Sequence, residues 1–324
     1  MKADKPVRGI KAGCVLLCML LLLTGCGRQV GSGKHQVAII TKSTESAFWK
    51  TVFAGAGAAA AEYNLDITCE GPQMEEDYET QNRMIEKAVK DGAEVIIFSA
   101  VDFNANAKAI DYAAEKGVKI VVIDSDVNSK NVSIRIGTDN YAAGETAGKA
   151  ALLSKEEELH VGIVNYDVNS ANGQQREKGF RHVIGTDERV KEIHTINVVS
   201  TTEDAREGTK ELLREYPEIN VIATFNEWTS LGVGWAIREL EKADEIQVVA
   251  FDSNVISVGM LETGEVDALI VQSPYAMGYL AVEAAYNLKN GQSLEAAKLD
   301  TAIKMVTREN MFEADCQRIL FNFD

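Results

Sequence analysis

The chain has 324 residues, of which 46% are hydrophobic and 25% are charged. This composition is typical of globular proteins, and the length is sufficient for two domains. The formal net charge is −16 at pH 7. Because so acidic a surface repels phosphate backbones, nucleic acid is excluded as an expected partner.

The N-terminal segment is typical of an export signal. Four basic residues precede an apolar run at 14–23 that is short for a membrane-spanning helix. The quartet L-T-G-C that ends at Cys26 resembles the lipobox of bacterial lipoproteins, which implies a signal peptide at 1–25, cleavage before Cys26 and acylation of its thiol. An ordinary secretory signal is the alternative. Residues 26–35 are interpreted as a flexible tether. The chain without residues 1–25 has 29 basic and 48 acidic residues, a net charge of −19.

Cys69 and Cys316 are the cysteines that remain outside the signal and the lipidation site. Outside the cytoplasm they could form one disulfide, and two buried free thiols are the simpler expectation. Their spacing alone does not decide between the two.

From residue 36 onward, short apolar runs rich in β-branched residues alternate with helical stretches. Strands are predicted at 37–40, 95–98, 120–123, 161–164, 221–225, 248–251 and 268–271, with weaker ones at 65–68 and 193–199. Helices are predicted over 48–63, 78–90, 105–116, 142–153, 174–183, 205–215, 231–242 and 275–289. Uniformly apolar strands that alternate with helices predict parallel sheets covered on both faces.

The strands are too many for one sheet, so we expect an α/β fold of two doubly wound, Rossmann-like lobes. The segment 133–140 is extended and lacks helical periodicity, which is typical of a crossing between lobes. A second crossing is predicted at 272–274, where Pro274 stops a strand and can start a helix. The acidic run 75–77 is interpreted as the solvated start of a helix.

Polar and aromatic residues follow almost every predicted strand, where ligands bind in open parallel sheets. These residues are mainly carboxylates, amides and aromatics, with almost no lysine or arginine. Carboxylates and amides hydrogen-bond sugar hydroxyls, and flat rings pack on the apolar faces of a sugar. The scarcity of basic residues argues against a phosphate or carboxylate ligand. The pattern therefore predicts a neutral, polyhydroxylated ligand.

Several short motifs resemble those of the ribose/galactose-type periplasmic binding proteins, which share their ligand-binding fold with the LacI-type repressors. The motifs are S-A-F-W, V-I-D-S-D, I-G-T-D-N, Q-R-E-K-G-F, F-N-E-W-T-S-L-G, V-A-F-D-S-N and V-Q-S-P-Y-A-M-G, and the resemblance covers about residues 36–310. It implies a type I periplasmic binding protein whose two lobes, joined by three crossings, close on a sugar. The expected N-terminal lobe is 36–138 plus 273–302, and the expected C-terminal lobe is 139–272 plus 303–324.

The strand ends and the resemblance together give a set of expected ligand-binding residues. They are Ser43, Phe48, Trp49, Ser99, Asp102, Phe103, Asp124, Gln174, Arg176, Asn226, Trp228, Asp252 and Gln272. Ser125 and Gln174 stand where ribose-type members usually carry arginine, so the resemblance supports a sugar but not ribose itself.

These observations predict a monomeric extracytoplasmic lipoprotein that binds a monosaccharide and delivers it to the permease of an ABC importer. A sugar-sensing protein that signals to a membrane histidine kinase or chemoreceptor is the alternative. A transcriptional repressor is excluded, because the signal segment occupies the place of a DNA-binding domain. The chain has no nucleophile elbow and its histidines have no metal-ligand spacing, so we expect neither an enzyme nor a cofactor or metal.

Overall fold

The computed structural model of the protein describes residues 37–320. The predicted signal peptide, the lipidation site at Cys26 and the tether lie outside the described residues. Within residues 37–320, no helix is both long enough and apolar enough to cross a membrane.

Twelve strands and ten helices make up the described part of the chain. The strands are β1 Val37–Ile40, β2 Ile67–Glu70, β3 Val95–Phe98, β4 Lys119–Ile123, β5 Ile134–Thr138, β6 Leu159–Asn165, β7 Val190–Asn197, β8 Val221–Thr224, β9 Gln247–Phe251, β10 Ala268–Val271, β11 Lys298–Thr301 and β12 Lys304–Thr307. The helices are α1 Ala47–Glu62, α2 Tyr78–Asp91, α3 Ala107–Glu115, α4 Asn140–Ala151, α5 Ala171–Ile184, α6 Thr202–Glu215, α7 Glu227–Glu239, α8 Val255–Thr263, α9 Pro274–Lys289 and α10 Ala314–Leu320.

The strands form two six-stranded sheets, in the orders β11-β5-β4-β3-β1-β2 and β12-β10-β9-β8-β6-β7. All strand pairs are parallel except β10 with β12. Each sheet has a buried apolar cluster on either face, covered by helices. The two-lobed, doubly wound α/β fold predicted from the sequence is therefore confirmed.

Three segments pass between the sheets, after β5, after β10 and between β11 and β12. The segment 133–140 is not only a crossing, because residues 134–138 form β5 within the first sheet. The strands β11 and β12 and the helices α8 and α10 were not predicted. β11 in particular has the sequence K-L-D-T and is largely exposed, so it carries no apolar run to mark it as a strand.

Glycines allow one pair of helices in each lobe to pack with their backbones in contact. A Cβ on Gly278 of α9 would lie 1.9 Å from the carbonyl oxygen of Val52 in α1, and one on Gly55 of α1 would lie 2.0 Å from that of Tyr275. The same close approach joins α4 and α5 at Gly144 and Gly179. Only residues without a Cβ permit this separation, so these glycines let the two helices of each pair pack closely.

The two cysteines of the described chain are free thiols. Cys69 is exposed on β2, an edge strand of the first sheet, and Cys316 is buried in the second lobe. The prediction that both would be buried is therefore wrong for Cys69.

Candidate functional site

The carboxyl ends of the strands of both sheets face one another across a cleft. A small cavity of about 30 Å³, called the inner cavity below, lies between them. It is lined by Lys42, Ser46, Phe48, Trp49, Glu75, Asp124, Tyr166, Asn172, Arg176, Asn226, Glu227, Trp228, Asp252 and Gln272. The lining therefore combines carboxylates, amides, aromatic rings and two cations, contributed by both lobes.

The aromatic pair of the inner cavity is set by the start of α1. Ser46 caps this helix, with its hydroxyl accepting a hydrogen bond from the backbone N–H of Trp49. The rings of Phe48 and Trp49 pack edge to face, 4.9 Å apart, and both join the apolar cluster under the first sheet. The indole N–H of Trp49 donates to Glu75 over 3.1 Å. Phe48 and Trp49 thus belong both to the apolar core of the first lobe and to the wall of the inner cavity.

Asp124 and Asp252 occupy equivalent places in the two lobes. Each directly follows a buried strand, β4 or β9, and each has a positive φ, +53° for Asp124 and +69° for Asp252. Each donates its backbone N–H to the neighbouring strand, to Ile136 and Ile270 respectively. A left-handed backbone is strained for a residue other than glycine, and such strain is concentrated at functional sites.

Arg176 of α5 is 1% exposed and connects the two aspartates to the crossings. Its guanidinium donates to the side chain of Asn140, to the carbonyl oxygen of Phe225 and to the side chain of Gln272, over 2.7–2.8 Å. It also lies 3.6 Å from Asp124 of the other lobe. Gln272 in turn donates to Asp252 over 2.7 Å. Arg176 therefore braces the second lobe and offsets the charge of Asp124.

Lys42, the second residue after β1, is a buried cation on the opposite wall. Its ammonium donates to the hydroxyl of Ser170 over 2.9 Å, lies 3.7 Å from Glu75 and is 4.9 Å from the ring centre of Tyr166. Ser170 and Tyr166 belong to the second lobe, so this contact spans the cleft. A buried ammonium requires such partners, because an unpaired buried charge is costly.

Direct hydrogen bonds hold the lobes together in this conformation. Asn172 donates to both carboxylate oxygens of Asp124 over 2.9 Å. Glu227, at the start of α7, accepts from the backbone N–H groups of Ala47 and Phe48, at the start of α1 in the other lobe, over 3.1 and 2.9 Å. A carboxylate at a helix N-terminus is favoured by the helix dipole as well as by these bonds.

A second set of carboxylate contacts joins acidic residues of the first lobe to a residue of the second lobe. Glu76, just before α2 of the first lobe, accepts from the backbone N–H of Ser200 over 2.6 Å, and Glu75 accepts from the Ser200 hydroxyl over 3.0 Å. Each lobe therefore offers an acidic side chain to the residues that begin a helix of the other lobe. The lobes are closed on one another through these contacts.

Burial of the site shifts the pKa values of several of its side chains. Burial raises the pKa of Asp252 to about 7, although Arg176 and the Gln272 amide act in the opposite direction. Burial alone would lower the pKa of Lys42, but nearby carboxylates, led by Glu75, outweigh it and the net shift is upward. Burial likewise raises the pKa of Tyr166 to about 12. Lys42 is thus charged and Tyr166 neutral near neutral pH.

Eight of the predicted residues line the inner cavity: Phe48, Trp49, Asp124, Arg176, Asn226, Trp228, Asp252 and Gln272. The other five do not. Ser99 is buried and donates to Asp124 over 3.1 Å. Ser43 accepts from the backbone of Glu45, and Asp102 accepts from its own turn.

Gln174 is exposed on α5 and is not among the residues that line the inner cavity. Arg176, two residues further along α5, lines that cavity. Phe103 lines a different cavity of about 300 Å³, called the outer cavity below, which lies beside the first crossing and shares Asp124 and Asn172 with the inner one.

Six residues of the inner cavity were not predicted, namely Lys42, Ser46, Glu75, Tyr166, Asn172 and Glu227. Ser46, Asn172 and Glu227 follow strands β1, β6 and β8 and so belong to the polar strand-end residues, but they were not among the expected ligand-binding residues. Glu75 was interpreted as part of a solvated helix start and is instead buried, while Asp77 does cap α2. Lys42 adds a buried cation to the cleft beside the expected Arg176, so basic residues are less scarce there than the strand ends indicated.

Residues that could hold a metal ion lie away from the cleft. Within the described chain, His160, Glu192 and Glu218 bring possible ligand atoms within 4.8 Å of one another near the start of β6, and Glu313, Asp315 and Cys316 do so near α10. Neither group contributes to the inner cavity.

Comparisons with known proteins agree with this architecture. Residues 37–293 match the model of the periplasmic binding protein domain. The D-ribose/D-allose-binding protein of Pseudomonas aeruginosa is 23% identical over 288 residues, which cover 85% of this chain and 89% of that protein. A carbohydrate transporter solute-binding protein of Agrobacterium radiobacter, solved with D-arabinose, is 29% identical with a TM-score of 0.85, covering 88% of this chain and 98% of that one.

An ABC transporter solute-binding protein of Agrobacterium vitis, solved with D-fucose, is 28% identical with a TM-score of 0.85, covering 88% and 99% of the two chains. The family match extends over most of the chain, and the structural similarity includes both lobes and the crossings between them. The chain therefore belongs to the periplasmic binding protein family.

Proposed function

We propose that this protein binds a monosaccharide or a similar polyhydroxylated ligand between its lobes and delivers it to the membrane permease of an ABC importer. The observation that supports this most directly is the composition of the inner cavity, where both lobes supply hydrogen-bonding groups beside a pair of aromatic rings. The relatives that bind sugars share this chain's fold over nearly their full length.

Each group of the inner cavity has a defined role in this proposal. Asp124 and Asp252 accept hydrogen bonds from ligand hydroxyls, and Asn226 and Gln272 both donate and accept. The rings of Phe48 and Trp49 pack against the apolar C–H faces of the sugar, with Trp228 at the rim. Lys42 and Arg176 place positive charge beside the carboxylates of the cavity. The protein contributes binding and no chemical step.

Closure couples binding to delivery. The inner cavity of about 30 Å³ has room for little more than a water molecule or two, so a sugar enters only when the lobes separate. A bound sugar then replaces direct contacts such as Asn172 with Asp124 and makes hydrogen bonds to both lobes. Because the ligand contacts both lobes only when they are closed, binding shifts the population towards that form.

The sequence and the family together support a location and a partner for the protein. We propose that the chain is held at the outer face of the cell membrane by acylation of Cys26 and acts as a monomer. The names of the relatives favour an importer over a sensor kinase as the receiving partner. Replacement of Cys26 by serine should release the protein from membranes, measured by fractionation and by incorporation of labelled palmitate.

A thermal-shift screen of residues 27–324 tests the ligand class. We expect a pentose, hexose or polyol to raise the melting temperature, because a ligand that binds only the folded state stabilises it. D-Ribose, D-arabinose and D-fucose belong in the first panel. Calorimetry with Trp49→Ala and Asp124→Asn should show affinity reduced by tenfold or more, on the order of one lost stacking or charged contact.

The exposed Tyr112→Ala is the matched control and should bind like the parent protein, because Tyr112 lies on α3, outside the cavities between the lobes. A shift with amino acids or peptides and none with any carbohydrate would refute the proposed ligand class. Unchanged affinity in both cavity variants would refute the proposed site.

A further inference from the structure

The outer cavity is a second space between the lobes and has no role in the site as described so far. It has a volume of about 300 Å³ and opens beside the crossing from β5 to α4. Both lobes line it, the first through Phe103 and the second through Tyr141 and Gln175. A volume of this size lies in the range of small-molecule pockets, whereas the inner cavity is ten times smaller.

Asp124 and Asn172 form the wall that separates the two cavities, since both residues line each of them. The amide of Asn172 donates to Asp124 across the cleft, and this bond is one of those that a ligand must replace. When it opens, the inner and outer cavities become continuous at Asp124. One molecule could then occupy both, with its polar groups at this junction.

The charges around the outer cavity are already paired. Arg135 donates to Asp126 over 2.7 Å, and Lys298 lies 2.8 Å from Asp300. Asp139 uses its carboxylate to cap α4. No cation is left to recruit an anionic substituent, so a phosphate or carboxylate group is not favoured here.

The groups that remain available are neutral. Within residues 37–320, neither the hydroxyl of Tyr141 nor the amide of Gln175 makes a side-chain hydrogen bond, and both line the cavity together with the ring of Phe103. An aromatic wall with uncommitted hydroxyl and amide groups is suited to a ring that has an apolar face and hydroxyls at its edge.

We propose that the outer cavity is a second subsite that holds a second sugar ring, so that the preferred ligand is a disaccharide whose glycosidic bond passes between Asp124 and Asn172. This inference rests on the proposed function, because the first ring occupies the inner cavity. Phe103 and Tyr141 pack against the second ring, and Gln175 hydrogen-bonds its hydroxyls.

Isothermal titration calorimetry with matched sugars tests the second subsite. The probes are D-xylose and xylobiose, D-galactose and lactose, D-glucose and cellobiose, and D-arabinose and arabinobiose, each with the corresponding methyl glycoside. We expect at least one disaccharide to bind about tenfold or more tightly than either of its component monosaccharides. The methyl glycosides, which block the anomeric hydroxyl without adding a ring, should not show this gain.

Variants locate the gain in the outer cavity. Tyr141→Ala and Gln175→Ala should each reduce the ratio of disaccharide to monosaccharide affinity several-fold, whereas the control Tyr112→Ala should preserve it. A disaccharide affinity equal to or below that of the monosaccharide overturns the second subsite and leaves the proposed function standing. An unchanged ratio of disaccharide to monosaccharide affinity in both Tyr141→Ala and Gln175→Ala would also overturn the second subsite and leave the proposed function standing. Failure of every carbohydrate to bind overturns the proposed function and this inference together.

Discussion

Replacement of Glu227 by glutamine should open the unliganded protein. The Glu227 carboxylate accepts from the backbone N–H groups of Ala47 and Phe48 of the other lobe and from the side chain of Asn254 within its own lobe. Glutamine keeps the shape of the side chain but has one accepting oxygen, and its NH₂ group would face a backbone N–H donor. The substitution therefore weakens a contact that exists only when the lobes are closed.

The expected size of the effect follows from the type of bond. Hydrogen bonds to a charged group contribute about 1.5–3 kcal/mol, and the position at the N-terminus of α1 adds a favourable helix dipole. Loss of one such bond lowers the ratio of closed to open protein by roughly ten- to hundred-fold. The stability of each lobe should change little, because the partners at Ala47 and Phe48 belong to a different lobe from Glu227.

Small-angle X-ray scattering of residues 27–324 without ligand measures this change. We expect a larger radius of gyration for Glu227→Gln than for the parent protein and a weaker affinity for the sugar identified by thermal shift. Glu86→Gln on the exposed face of α2 is the control and should match the parent. An unchanged radius of gyration together with unchanged affinity would show that this contact does not hold the lobes together.

Three further predictions concern the fold and its titratable groups. Burial raises the pKa of Asp252 to about 7 from an unfolded value near 3.8, so its contribution to stability is complete below about pH 4 and is lost as the pH rises through about 7. Denaturant unfolding from pH 4 to 8 should show this loss in the parent protein and a smaller one in Asp252→Asn; equal slopes would contradict it. Gly55→Ala places a Cβ 2.0 Å from a carbonyl oxygen of α9 and should lower the free energy of unfolding by about 1–3 kcal/mol or more. Gly57→Ala in the same helix meets no atom within 4 Å and should raise it by up to about 1 kcal/mol. In the native protein, a thiol reagent should modify the exposed Cys69 but not the buried Cys316. The rate should increase towards pH 11, because partial desolvation by the neighbouring residues raises the pKa of the Cys69 thiol to about 11. Modification of both thiols at equal rates would contradict the placement of Cys316 in the core.

The fold could be predicted largely because its strands are covered on both faces. β1, β3, β8 and β10 are buried at every position, which leaves an uninterrupted apolar run in the sequence. The prediction of strands fails where a strand is not buried on both faces. β11 is an exposed edge strand, and it is held by pairing with β5 rather than by burial of its own side chains.

The candidate site could be predicted in part, for a related reason. Parallel strands end at the same edge of a sheet, so residues that follow them converge, as Asp124 and Asp252 do. Glu227 also follows such a strand, β8, but its contact with the start of α1 in the opposite lobe could not be predicted in this way, nor could that of Glu75 with Ser200. Contacts across the cleft depend on how the lobes meet, and this is not encoded in the pattern of either lobe alone.

The two aspartates also explain why closure and binding depend on one another. Their strained backbones hold both carboxylates at the cleft before any ligand arrives, yet their partners differ. Asp124 is paired across the cleft with Asn172 and Arg176, whereas Asp252 accepts from Gln272, which follows β10 of the same sheet. Opening therefore removes Asn172 and Arg176 from Asp124 and leaves it the Ser99 hydroxyl of its own lobe, whereas Asp252 keeps Gln272. A ligand that hydrogen-bonds both aspartates supplies Asp124 with what opening takes away, and Asp124 is thus the residue at which ligand and lobe compete directly.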